Sequence, residues 1–211
     1  MKKILIPLAV YSLWAVGSPA QAASSVDLSV TGSITPSACE PSLSNGGVYD
    51  LGKIAAKDLN IDQPTQLSAH TLQLGITCEA LTLVALKPSD NRLGSSFENN
   101  LLKFGLGLVN GDEKLGSMTL HLDSIVADGA VMYPIGSVGS GSTEWSPTSI
   151  MSPTFLTSFS LIKNTPNQAP APIQQLTAEV LIEPRIAPAN TLTLTTEVPI
   201  DGAATLELNY L

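Results

Sequence analysis

The chain has 211 residues, of which 44% are apolar, 13% charged and 5% aromatic, and its formal net charge is −8. That length and apolar fraction suit one ordinary buried core and exclude a disordered chain. Ten Lys and Arg against 18 Asp and Glu, with no basic stripe and no aromatic-plus-basic run, exclude nucleic acid as a partner.

Residues 1–22 read as a secretory signal peptide. Lys2 and Lys3 form a basic start, residues 4–16 an apolar stretch, and Ala20-Gln21-Ala22 a small-x-small cleavage site. The competing reading is a membrane anchor, but the stretch falls short of the roughly 18 to 20 residues a bilayer core demands, and Pro7 interrupts it. No Cys follows the cleavage site to carry a lipid. Cleavage would lower the basic count from 10 to 8 and take the net charge to −10. The mature chain is expected to be exported.

Residues 23–34 form an N-terminal extension in which Val26, Leu28, Val30, Gly32 and Ile34 alternate with Asp27, Ser29, Thr31 and Ser33, the pattern of a strand. Export places Cys39 and Cys78 in an oxidising compartment, and as the only two cysteines they are expected to form a disulfide. A metal site would need a further soft or imidazole ligand. His70, the single candidate between them, leaves a poor zinc set.

Leu72, Leu74, Ile76 and Cys78 alternate with polar or small residues and predict a half-buried strand with Cys78 inward. Asp90-Asn91-Arg92 reads as a turn with a solvated arginine rather than a ligand site. Leu102, Phe104, Leu106 and Leu108, then Asn110-Gly111, then Met118, Leu120 and Leu122 predict a β-hairpin with Thr119, His121 and Asp123 outward. Asp112-Glu113 falls in its turn, where solvation is the expected state.

Residues 133–172 carry a Gly/Ser run at 136–142 and a Pro-rich stretch at 165–172, and read as a long surface excursion around a strand marked by Phe155, Phe159 and Leu161. Trp145 there is either a packing contact or a sugar-binding platform, the former favoured. Leu176, Ala178, Val180 and Ile182 predict another strand, and Leu192, Leu194, Val198 and Ile200 a further one. Ala204, Leu206, Leu208 and Tyr210 alternate with Thr205, Glu207 and Asn209, so a strand runs to the end of the sequence. Many short strands with Gly, Pro, Ser and Asn between them predict an all-β antiparallel sandwich.

Gly32 seven residues before Cys39, two cysteines about forty residues apart, and a C-terminal Gly-Ala-Ala-Thr-Leu-Glu-Leu-Asn-Tyr-Leu with penultimate Tyr210 resemble the pilins of chaperone–usher fimbriae. The stretches Pro-Ser-Ala-Cys-Glu-Pro at 36–41 and Ser-Asp-Asn-Arg at 89–92 look more specifically like a Gram-negative exported family, poorly described in function, that occurs with fimbrial clusters. The resemblance spans most of the mature chain and is weakest over 133–172. It implies an immunoglobulin-like sandwich over residues 35–211 that lacks its last strand, the gap being filled by β-strand addition. On that likeness Val26, Leu28, Val30, Gly32 and Ile34 would be donor-strand residues for a neighbouring subunit, with Gly32 in a shallow pocket. Leu206, Leu208 and Tyr210 would form the acceptor edge gripped by a periplasmic chaperone. The implied partners are neighbouring fimbrial subunits, that chaperone and an outer-membrane usher, and the implied destination is the cell-surface fimbrium.

No Gly-x-Ser-x-Gly elbow, catalytic triad or metal-ligand spacing occurs, so no enzyme, cofactor or metal is expected. The leading expectation is a structural subunit of a surface fimbria that contributes to adhesion. Its rival is a self-complete secreted or periplasmic β-sandwich that binds a glycan or other ligand through residues 133–172. A small outer-membrane barrel is disfavoured by the few aromatics available for its girdles.

Overall fold

The computed structural model describes residues 28–31, 38–138, 144–163 and 168–211, and residues 35–211 form one compact unit. In chain order the described strands are β1 (Cys39–Leu43), β2 (Thr65–Gln66), β3 (His70–Thr82), β4 (Val84–Asp90) and β5 (Phe104–Gly105). They continue with β6 (Leu108–Val109), β7 (Glu113–Lys114), β8 (Gly116–Ala127), β9 (Ala130–Val131) and β10 (Tyr133–Val138). The last five are β11 (Ser146–Pro147), β12 (Ile150–Met151), β13 (Phe155–Ser160), β14 (Ile173–Ile186) and β15 (Ala204–Tyr210). The predicted signal peptide at residues 1–22 lies outside the described residues.

Two antiparallel sheets face each other, as expected of a β-sandwich. One has the order β1-β3-β14-β8-β12, with β2 on β14 and β5 and β9 on β8; the other has the order β11-β10-β13-β4-β15. Strands β6 and β7 make a separate two-stranded ribbon. The core between the sheets takes Leu74 and Ile76 from β3, Leu120 and Leu122 from β8, Leu176, Ala178 and Val180 from β14, and Val84, Leu86 and Phe159 from the opposite sheet. Each large side chain so buried contributes roughly 1.5–3 kcal/mol before the entropy of ordering is subtracted.

The two-residue alternation holds through β3 but is reset elsewhere. In β8, Met118, Leu120 and Leu122 face the core and then Ile125 and Ala127 do, a change of parity. It falls at Ser124, whose φ is 50°, where the register against β14 shifts between Thr177 and Glu179. A bulge inserts one residue and turns the strand's inward face over. Gly107, with φ of 92°, turns the chain over before β6 without an inserted residue, since the pairing on either side keeps one register; Val109 is buried and Leu108 is 47% exposed, against the predicted inward Leu108. Thr119, expected outward, is buried because the segment before β5 lies over it and Lys103 Nζ donates to its hydroxyl at 2.6 Å. Asn110 and Gly111 do form a turn with positive φ, joining β6 to β7.

The described residues of 133–172 are not a loose excursion. Strand β10 pairs with β13 along six residues, and Trp145, 7% exposed, packs with Ala85, Ile135 and Leu156. Ala85 alternates with Val84 and Leu86, which face the main core, so this second cluster covers the outer face of the same sheet. Leu161 falls just past β13 and is exposed.

The predicted strand over Leu192, Leu194, Val198 and Ile200 is absent: after a 3-10 turn at Ala189–Thr191 the chain stays irregular until β15. Side chains replace the ladder. Glu113 accepts from the Thr193 amide and hydroxyl, both at 2.6 Å, Asn110 Nδ2 donates to the Thr193 carbonyl, and Arg92 clasps Asp201 with two bonds of 2.7 and 2.9 Å. Leu192, Val198 and Ile200 still pack on the core, so their apolar alternation reflects burial without pairing.

Candidate functional site

Strands β1 and β15 are end strands of the two facing sheets, brought together by the bond from the Cys39 amide to the Tyr210 hydroxyl, and a groove of about 790 Å³ runs beside them. Its floor is Leu72 of β3, Val180, Ile182 and Ile186 of β14, and Met118 and Leu120 of β8. Leu43 lines it from β1, and Ala204 and Leu206 from β15. Over it lie two irregular segments that contribute Tyr49, Leu51 and Ile54 on one side and Leu194, Val198 and Ile200 on the other. These segments are joined at the surface by Lys53 and Glu197, 3.1 Å apart; both are exposed, so the pair contributes little to stability.

The two banks differ in hydrogen-bonding capacity. The bonds from the Asn91 amide to the Ala203 carbonyl and from the Leu211 amide to the Leu83 carbonyl fix the phase of the β15–β4 ladder. Residues 205, 207 and 209 therefore face β4, and the backbone groups of Ala204, Leu206, Leu208 and Tyr210 point to the open edge. Among the described residues β15 pairs with β4 alone. On the other bank, the bond from the Glu79 amide to the Ala38 carbonyl makes Cys39 and Cys78 a non-hydrogen-bonded pair, the closely spaced kind, and the disulfide joins them. Cys39, Pro41 and Leu43 then face outward from β1, and of these Pro41 has no N–H to give. The β15 bank offers a continuous ladder, whereas the β1 bank is blunt.

The predicted acceptor residues Leu206, Leu208 and Tyr210 all lie on β15, with Leu206 and Leu208 half-buried against the core. The Cys39 amide donates to the Tyr210 hydroxyl at 2.9 Å, bringing the disulfide and the last strand together. Of the predicted donor residues, Val26, Gly32 and Ile34 lie outside the described residues. Leu28 and Val30 are 90% and 88% exposed, and residues 28–31 carry no strand.

Side chains weighed as polar sites are engaged structurally. Asp90 accepts from the Arg92 and Gly105 amides, so the predicted turn forms, but Arg92 is paired with Asp201 rather than simply solvated. That pairing, first through its hydrogen bonds and then through charge, holds the Asp201 carboxyl below its usual range and Arg92 above its own. Glu113 is lowered by its bonds to Thr193 and is not the solvated turn residue expected. His121 Nε2 lies 3.0 Å from Glu183, a neighbouring-strand pair the sequence spacing hid, and His70 stacks on Tyr49 with ring centres 4.1 Å apart. Among the described residues no three His, Cys, Asp or Glu side chains converge to hold a metal.

Residues 28–101 match the family described as protein of unknown function (DUF1120). The chain is also similar to two proteins of Escherichia coli (strain K12). It is 29% identical to the uncharacterized protein YhcF over 50% of this chain and 53% of that protein, so it spans about half the length of YhcF. With protein GltF the identity is 26%, over 96% of this chain and 95% of GltF.

Proposed function

We propose that this chain is a structural subunit of a chaperone–usher surface fimbria, exported through the periplasm and polymerised when one copy donates residues 24–34 to the groove of the next. The observation that carries the reading is the unequal groove: a cleft of about 790 Å³ with an apolar floor beside a β15 edge with four residues' worth of ladder unused among the described residues. Such a surface suits one more extended segment with alternate apolar side chains, the mode of β-strand addition. Val26, Leu28, Val30 and Ile34 have that alternation. Uncovered, the same edge would aggregate, which gives a periplasmic chaperone its task and an outer-membrane usher a covered subunit to receive. In this reading the sandwich is an immunoglobulin-like fold short of its last strand, and it takes no cofactor.

The test is complementation between two crippled copies, co-expressed with a fimbrial chaperone in a periplasm. A variant lacking residues 24–34 keeps the groove, and Leu206→Glu keeps the donor but places a charge in the groove. Wild type should give heat-sensitive ladders, each variant alone a monomer, and the mixture a heat-sensitive dimer. Soluble monomer in every lane would sink the reading and turn attention to ligand screens on residues 133–172.

A further inference from the structure

The groove stops short of the end of β15. Its lining includes Ala204 and Leu206 but neither Leu208 nor Tyr210, although all four present backbone groups to the same open edge. At the point where it stops, the Tyr210 side chain, on the same strand face as Leu206 and Leu208 but 41% exposed, reaches to the opposite bank, where its hydroxyl accepts the Cys39 amide at 2.9 Å. That amide is one that β1 directs away from β3, and the disulfide holds it in place by fixing Cys39 to Cys78. The bond therefore spans the space between the two outer strands.

We infer that Tyr210 is a latch that closes the Cys39 end of the groove and sets how far along β15 an incoming strand can pair. This rests on the proposed reading of the groove as an acceptor and commits to its occupant, residues 24–34 of a second copy. An extended run of nine residues, 26–34, reaches about 30 Å, and the seven residues of β15 reach only about 23 Å. Such an occupant cannot be held by the part of the edge beside Ala204 and Leu206 alone. It pairs there first, where the groove is already shaped, and extends past Leu208 only when the Tyr210 hydroxyl releases Cys39. Tyr210 is thus a positioning residue whose bond is made before the strand arrives and broken as it seats.

The experiment uses Tyr210→Phe, which keeps the ring and deletes the bond, and follows uptake of a labelled synthetic peptide of residues 24–34 by purified monomers lacking residues 24–34, with and without that substitution. One hydrogen bond lost before the seated state predicts uptake roughly fivefold faster in the variant. In the free protein, amide exchange at Cys39 should rise in the variant; in the peptide complex, Cys39 exchange should be the same in both proteins. Equal or slower uptake by Tyr210→Phe, with the peptide still bound, overturns the latch and leaves the groove reading standing. No uptake by either protein overturns the groove reading and the latch with it. A variant unfolded by circular dichroism also overturns the latch, because the hydroxyl would then be a structural necessity rather than a releasable contact.

Discussion

Breaking the Cys39–Cys78 bond tests how the edge of the sandwich is held. The bond closes a loop of 39 residues that contains β2 and two short 3-10 turns. In the chain-entropy account a cross-link of that span removes about 13 cal/mol/K from the unfolded ensemble, worth about 4 kcal/mol at 25 °C. Strand β1 adds only five residue pairs, all with β3, and the Cys39–Tyr210 hydrogen bond, so little else keeps it in place. Urea unfolding of the oxidised chain, the reduced chain and the Cys39→Ala/Cys78→Ala variant measures the loss. With an m-value of about 2 kcal/mol/M, the midpoint should fall by about 2 M. The reduced chain deletes no atoms and should fall about as far as the variant. A shift below about 0.5 M in both would refute the reasoning.

Phe159→Ala empties a site fully shielded from solvent at the centre of the core and should cost about 3–5 kcal/mol, read as a fall in Tm with the sheet spectrum retained. Gly116→Ala would place a Cβ 2.4 Å from the Arg185 carbonyl oxygen on the paired strand; backbone cannot step aside cheaply, so a loss of about 1–3 kcal/mol or more is expected in urea unfolding. The Glu113 and Asp201 carboxyls are depressed in the folded chain, so their contribution is fully present above their unfolded values of about 4.3 and 3.9 and is lost as the pH falls through the folded ones. Carboxyl NMR titration should give both midpoints below those values, and midpoints at or above them would show that residues 192–203 are not held as described.

The elements legible in the sequence were those with one buried face and an unbroken period. Leu72 to Cys78 on β3 and Leu176 to Ile182 on β14 alternate because the two strands pair with each other in unbroken register from His70 to Thr77 and from Gln175 to Ile182, the extra residue beside β14 lying in β8. Legibility failed where backbone geometry reset the period: Ser124 and Gly107 each turn a face over, and nothing in the hydrophobic pattern announces it. It failed again at Leu192 to Ile200, where apolar alternation marks burial while Glu113, Asn110 and Arg92 supply the fastening from distant parts of the chain. The two-residue Asp128-Gly129 turn between β8 and β9, with both φ positive, carries the Asp-Gly signal of a tight hairpin. Of the candidate site, the strand carrying Leu206, Leu208 and Tyr210 and the pairing of the two cysteines were legible from pattern, while an acceptor role for that strand came from the likeness alone, and the likeness of 36–41 and 89–92 falls inside the residues matched to the family of unknown function. The floor of the groove could not be named. It is assembled from β3, β8 and β14, whose lateral order no local pattern encodes.

The packing of Trp145 has an optical consequence. It is the one tryptophan in residues 35–211, and it sits against Ala85, Ile135 and Leu156 on the face of its sheet turned away from the groove. Its emission will shift to the red when that outer cover lifts and will hold its wavelength while an added strand comes or goes on the far side. Intrinsic fluorescence and a label on the peptide thus give two independent clocks on one molecule, the first timing the loss of the covering layer and the second the traffic along β15.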